Sequence, residues 1–427
     1  MRTSRSRRSG VSDASARLVS RRLTASLLCL LAHAGAAAAQ PLSQRGFVEG
    51  SAWGFLEPTP QDATQLIGDL LIREDLFVTI RPWLRVTAGA DLRANSHDQV
   101  TGDFSFLDRT ARRAVVSVRS LKATISRGHL TLDAGKQFVR WGKTDIVVPT
   151  DRFAPRDFLN LVDPSFLAVV GLRATMDIGS YTVEGVWVPV FTPSRIPLVD
   201  QRWAPRPAQL PADVTFVETA PSFPVRSQVG ARVGHVAGRV DYSVSFYDGF
   251  NNLPDIEVSP DRPQTIGFQR VYPHIRTFGA DVSAPLPGLL LKTEAAYFTS
   301  SSPFTDEYVL YVVQVERQQG EWVFVAGYAG EVVTRLRSLL TFDPDRGLSR
   351  SIVTRASYSF DARRSIEAQT AVRQNGEGIY VKAEYSQASG SHWRTTVAAV
   401  VLAGAADDFI GQYRDNSHVR FTVRYSF

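Results

Sequence analysis

Residues 84–95 read Leu84-Arg85-Val86-Thr87-Ala88-Gly89-Ala90-Asp91-Leu92-Arg93-Ala94-Asn95. Every even position is apolar or small, and every odd position is polar or glycine. A period of two over twelve residues is a β-strand with one apolar and one polar face. The pattern recurs. Val240, Tyr242, Val244 and Phe246 interleave with Asp241, Ser243, Ser245 and Tyr247. At the chain end Val419, Phe421, Val423, Tyr425 and Phe427 interleave with His418, Arg420, Thr422, Arg424 and Ser426.

A soluble sandwich also alternates. Two features separate this chain from one. The alternating segments run to about 10–13 residues, near the 9–11 that a tilted strand needs to cross a bilayer and twice the usual soluble strand. Their polar faces are also densely ionic, as a water-filled lumen opposite a lipid face requires. Strands are predicted near 46–55, 69–80, 84–95, 113–126, 129–141, 166–177, 181–191, 224–235, 239–248, 274–284, 289–298, 308–317, 322–331, 350–360, 365–374, 378–386, 392–403 and 417–427. The fold class is all-β: a transmembrane antiparallel up-and-down barrel of about 16–18 strands, wide enough for an aqueous channel.

The connections alternate in length. Short turns fall at 81–82, 127–128, 178–180, 236–238, 285–288, 318–320, 361–363 and 388–390. Long connections fall between them, at 56–68, 96–112, 142–165, 192–223, 249–273, 299–307, 332–349 and 404–416, with one short exception at Asn375-Gly376-Glu377. Bacterial barrels place short turns on the periplasmic side and long loops outside, which puts both termini in the periplasm. Trp83, Tyr181, Trp322 and Trp393 at one set of strand ends, and Phe191, Phe246, Tyr297 and Phe298 at the other, are the expected interfacial girdles.

Residues 1–39 form a separate unit. Seven arginines are followed by the apolar run Leu23 to Leu31 and by Ala37-Ala38-Ala39, the pattern of a cleaved signal peptide, with the barrel at 40–427. Taking those seven arginines and the single Asp13 from 48 basic and 42 acidic residues leaves 41 of each. A neutral mature chain lacks the basic footprint of a nucleic-acid binder. The only cysteine, Cys29, lies in the leader, which excludes disulfides and thiolate metal sites from the rest.

The chain stops on Phe427, with Tyr425, Val423 and Phe421 on the same face. In this it resembles outer-membrane β-barrel proteins of Gram-negative bacteria, whose terminal aromatic is read by the barrel-assembly machinery. Residues 135–157 carry Gly135-Lys136-Gln137, then Trp141-Gly142, then a turn rich in aspartate and proline. This resembles a motif of porin-like barrels. General porins fold their third loop inward, and the resemblance implies the same for 142–165. The predicted constriction comprises Lys143, Asp145, Asp151, Arg152, Arg156, Asp157 and Asp163. The predicted lumen wall includes Arg85, Asp91, Arg93, Arg173, Arg232, Arg355, Arg373, Arg420 and Arg424, because charge toward lipid costs about 2–4 kcal/mol for Arg or Lys. The loop acids are expected to face Arg173, Arg232 and Arg420 across the gap. Near-equal numbers of wall acids and bases predict no strong ion preference. The Pro-rich stretch 192–223 reads as an irregular surface segment that could cap the mouth, and Asp343-Pro344-Asp345-Arg346-Gly347 as a plain turn rather than a calcium loop.

The function expected is passive passage of small polar or ionic solutes through the outer membrane. The alternatives are an enzyme embedded in that membrane and a non-conducting structural or export barrel. Scattered histidines and the absence of HExxH, G-x-S-x-G or P-loop patterns argue against catalysis. No cofactor or metal is expected. The expected partners are outer-membrane lipid, the assembly machinery and the solutes, with a homo-trimer left open.

Overall fold

A sheet with an apolar outer face leaves costly unpaired edges unless it closes on itself. The computed structural model describes residues 42–145, 147–204, 215–236, 238–262, 265–337 and 343–427, and in it the closure is complete. The expected leader 1–39 lies outside the described residues, as do Pro205, Pro207 and Pro211.

The barrel strands are β1 (Leu42–Phe55), β2 (Leu66–Arg81), β3 (Leu84–Asn95), β4 (Arg113–Arg127), β5 (Leu130–Gln137), β6 (Val169–Ile178), β7 (Tyr181–Val190), β8 (Gln228–His235), β9 (Asp241–Phe250), β10 (His274–Leu286), β11 (Leu289–Ser300), β12 (Glu307–Gln319), β13 (Trp322–Arg335), β14 (Ser351–Ser359), β15 (Arg364–Arg373), β16 (Gly378–Ser389), β17 (Trp393–Gly404) and β18 (His418–Ser426). Each pairs antiparallel with its neighbour in sequence, and β18 pairs with β1 from Ser426 opposite Phe47 to His418 opposite Phe55. At that seam Gly46 N donates to Phe427 O and Phe427 N to Gly46 O, both at 3.0 Å. The terminal residue is therefore part of the closing ladder. Every one of the 18 strands overlaps a predicted segment.

Local chemistry explains the tight end. Gly128 and Gly320 sit at φ 56° and 59°, in the left-handed region that the two-residue turns after β4 and β12 require. Trp83, Tyr181, Trp322 and Trp393 are exposed around this short-turn end, in keeping with the girdle expectation. The other girdle is only half as predicted. Phe246 and Tyr297 flank the exposed Phe278 on the outer face. Phe191 and Phe298 are instead buried, Phe298 stacking on Tyr308 with ring centroids 4.4 Å apart. Aromatic identity could not reveal which face each ring occupies.

The long connections are more structured than predicted. Val100–Ser105 runs parallel to the start of β4 and fills wall left open where β5 ends early. Asp255–Arg262, Thr265–Val271 and Thr215–Glu218 form a separate three-stranded sheet. The segment 192–204, predicted to lie on the surface, is mostly buried. Arg202 within it donates to Asn416 Oδ1 at 3.0 Å and to the carbonyls of Thr64 and Glu57, each at 2.7 Å.

Candidate functional site

β5 ends four residues before its predicted limit, and the cause is local. Gly135 has φ +122°, and a Cβ there would lie 2.2 Å from Leu121 O. The chain leaves the wall and 138–168 turns into the lumen. Gln137 Nε2 donates to Gly171 O at 3.1 Å, tying the departure point to β6. Trp141 Nε1 donates to Glu184 of β7, and the Trp141 and Gly142 amides converge on Asp151 Oδ1 at 2.6 and 2.8 Å. Gly142 admits no side chain, since a Cβ would sit 1.6 Å from Val148 Cγ1. The Gly-x-Gln and Trp-Gly residues thus form the device that turns the strand inward.

Four carboxylates then fix the segment. Glu294, buried on the inner face of β11, accepts from Lys143 N at 2.9 Å, Thr144 N at 3.2 Å and Thr144 Oγ1 at 3.0 Å through Oε2. Its Oε1 accepts from Thr150 N and Thr150 Oγ1, both at 2.8 Å. Asp145 meets Lys292 at 3.2 Å and Gln314 on the same side. Asp163 reaches the opposite wall, where Lys382 lies at 2.9 Å and Arg420 at 2.6 Å. Asp157 accepts two 2.9 Å bonds from Arg113 and one of 2.9 Å from Arg195. Burial alone would raise these aspartates. For Asp157 the Arg113 and Arg195 guanidiniums override it and hold the carboxyl well below the usual range. Asp163 is likewise lowered, by Arg420 and Lys382 against burial.

The inward segment packs on the β7–β13 side through an apolar cluster that includes Trp141, Phe153, Val188, Tyr247 and Leu310. Against the other wall it leaves a cavity of about 340 Å³. Its lining combines the aromatic rings of Phe158, Trp203, Tyr380, Phe409 and Tyr413 with the charged groups of Arg152, Arg156, Arg355 and Asp345. Arg152 and Arg156 share Asp345, at 3.5 and 4.0 Å. Arg355 has no hydrogen-bond or ion-pair partner among the described residues.

No protein-family model matches the chain, and no curated protein sequence matches it. Solved structures do. The outer membrane protein OpdK of Pseudomonas aeruginosa superposes over 90% of this chain and 98% of its own, with TM-score 0.54 and 8% identity. OccAB4 of Acinetobacter baumannii gives TM-score 0.54 and 10% identity over 90% and 98% of the two chains. A BenF-like porin of Pseudomonas fluorescens Pf-5 gives 0.52 and 11% over the same shares. The fold is that of an outer-membrane porin.

Within this porin fold the predicted site residues divide. Lys143, Asp145, Asp151, Arg152, Arg156, Asp157 and Asp163 all lie on the inward segment, but they do not form one cluster. Lys143 pairs with Asp281 of β10 at 3.0 Å, and Asp151 is spent on its own loop. The expected facing arginines are mostly occupied within the wall. Arg173 pairs with Glu184, and Arg232 with Asp281 at 3.0 Å. Only Arg420 meets a loop acid. Asp91 takes Arg73 at 2.7 Å and Arg93 at 3.3 Å; Arg373 takes Asp408 at 2.9 Å; Arg424 takes Glu49. Arg85 is exposed near the short-turn end. Pairing within the wall thus takes up Arg73, Arg93, Arg173, Arg232 and Arg424, whereas Arg373 is taken by Asp408 of a long connection. Sequence reasoning missed the aromatic lining, because Trp203 and Tyr413 sit in connections with no periodicity.

Proposed function

We propose that the chain is a porin-like channel of the outer membrane for passive passage of small polar or ionic solutes. The observation that carries the reading is the closed 18-stranded barrel with a segment folded into its lumen that fills one side and leaves a lined cavity along the other. The segment of 138–168, with Lys143, Asp145, Asp151, Arg152, Arg156, Asp157 and Asp163, acts as the constriction. Charge at this level favours anions although the wall totals balance. Arg152 and Arg156 share Asp345, while Asp145 divides itself between Lys292, which Glu316 also claims, and the more distant Arg355, so three arginines line the cavity against two carboxylates. A narrow, low-dielectric opening concentrates such an imbalance. The aromatic lining suits solutes with an apolar body, and one OpdK structure was solved with vanillate. The terminal aromatic, with Phe421, Val423, Tyr425 and Phe427 on one outer face, serves assembly.

Liposomes reconstituted with the purified barrel test this. They should swell in isosmotic solutions of small anionic solutes faster than in solutions of cationic solutes of equal size. Swelling no faster than in protein-free liposomes overturns the reading.

A further inference from the structure

The outer face of β9 and β10 is layered. In register along the pair stand Asp248 opposite Arg276, Phe246 opposite Phe278, Val244 opposite Ala280 and Tyr242 opposite Val282. The residues between them, Ser243, Tyr247, Thr277, Gly279 and Asp281, are buried inward. Running from the long-loop end, the outer column is therefore ionic, aromatic, aliphatic and then aromatic again. The Phe246 and Phe278 rings touch, with centroids 5.3 Å apart. Phenylalanine pairs at strand ends mark the depth where hydrocarbon gives way to headgroups. The ionic layer lies one outward position above them, at headgroup height.

At that height three bases meet one acid. Arg276 Nε donates to Asp248 Oδ2 at 2.9 Å, His274 Nε2 lies 3.0 Å from Oδ1, and Arg226 Nη2 donates to the same Oδ1. Two permanent positive charges face one carboxylate. Both guanidinium side chains remain more than half exposed, at 56% for Arg226 and 57% for Arg276. Arg276 uses only Nε, and Arg226 only Nη2, which also lies 3.0 Å from His274 Nε2, so each exposed guanidinium keeps unspent N–H groups. Asp248 holds the two forks together rather than neutralising them. Guanidinium forks match phosphate oxygens in geometry as well as charge.

We propose that Arg226 and Arg276, set by Asp248 and His274, bind the phosphate of a membrane lipid at the long-loop rim, with its acyl chain running down over Phe278 and Ala280. The inference rests on the outer-membrane reading. It concerns the outer surface alone, so conductance through the lumen is independent of it.

Native mass spectrometry of the detergent-solubilised barrel provides the test, with phosphatidic acid as probe, phosphatidylcholine as the control lipid and inorganic phosphate as the soluble anion. A basic side chain at a charged lipid surface changes binding about fivefold. Wild type should retain phosphatidic acid over phosphatidylcholine, and Arg226→Gln with Arg276→Gln should lower that retention about 25-fold. Arg276→Gln alone should lower it about fivefold and serves if the double variant does not fold. Arg364→Gln, at the short-turn end, should retain phosphatidic acid as wild type does. Equal retention of the two lipids by wild type, or unchanged retention in the folded variants, overturns the proposal. So does displacement of phosphatidic acid by millimolar inorganic phosphate, which would make this a site for the free anion. Liposome swelling at wild-type rates in the variants would show that the channel reading stands whatever the lipid result.

Discussion

Replacing Glu294 by alanine removes the acceptor that docks the inward segment. Three backbone amides lose their partner: Lys143 N, Thr144 N and Thr150 N. An unmet buried amide costs about 1–3 kcal/mol. The two threonine hydroxyls can rotate and water can enter the vacated space, so the lower bound applies to each amide. The total is about 3 kcal/mol, a shift of about 150-fold in the ratio of docked to released segment. Glu294→Gln keeps one acceptor oxygen and should fall between wild type and alanine. The assay combines single-channel conductance with limited trypsin treatment from the long-loop side. Release should raise conductance and expose the bonds after Arg152 and Arg156, both sheltered in the native barrel. A folded, heat-modifiable Glu294→Ala barrel with native conductance and no new cleavage would refute the docking argument.

Ala90→Arg and Asp91→Arg should both disturb the barrel, for different reasons. The first points a charge at lipid, at about 2–4 kcal/mol; the second removes the buried partner of Arg73 and Arg93, at about 3–5 kcal/mol, and midpoints of urea unfolding read both. Deleting Phe427 should leave unfolded protein in the periplasm, because it removes two closing bonds at the seam as well as the terminal ring; normal membrane levels on immunoblot would contradict this. Asp343 gives a pH dependence. Burial pushes its carboxyl up to about 7, with Asp345 adding to the rise and Arg346 opposing it. A raised carboxyl stabilises the folded state while it keeps its proton, so its contribution is full below its ordinary value of 3.8 and is lost as pH rises through about 7. Asp343→Asn should therefore flatten the decline in unfolding midpoint between pH 5 and pH 8, and an unchanged slope would remove Asp343 as its source.

The wall was legible because its physics is local. Residues 84–95 alternate without a break and form β3 with those same limits. Where strand and lumen contacts compete, periodicity stops being informative. Residues 138–141 continue a plausible strand, yet Gly135 sends them inward, and only its positive φ shows why. The site was half legible. The resemblance carried by Gly135-Lys136-Gln137 and Trp141-Gly142 marked the loop acids as inward, and Asp145, Asp157 and Asp163 do meet cations there. Their partners could not be read from spacing. Arg113 and Arg195, which hold Asp157, come from a strand start and a Pro-rich loop far apart in sequence. Nor could the alternation expose Arg202 or Trp203, since their burial arises from a connection that folds back onto distant strand ends and loops, with Arg202 over the Phe55 ring and Trp203 against Phe55, His418 and Tyr413.

The reversal potential of the purified barrel in a planar bilayer tests the central claim most directly. Under a salt gradient the protein should give discrete conductance steps with a reversal potential on the anion side, and Arg355→Gln should move that potential toward zero at low salt. The effect should fade at 1 M salt, where charge is screened within about 3 Å. A folded barrel that gives no steps, or one whose reversal potential lies on the cation side, would contradict the account.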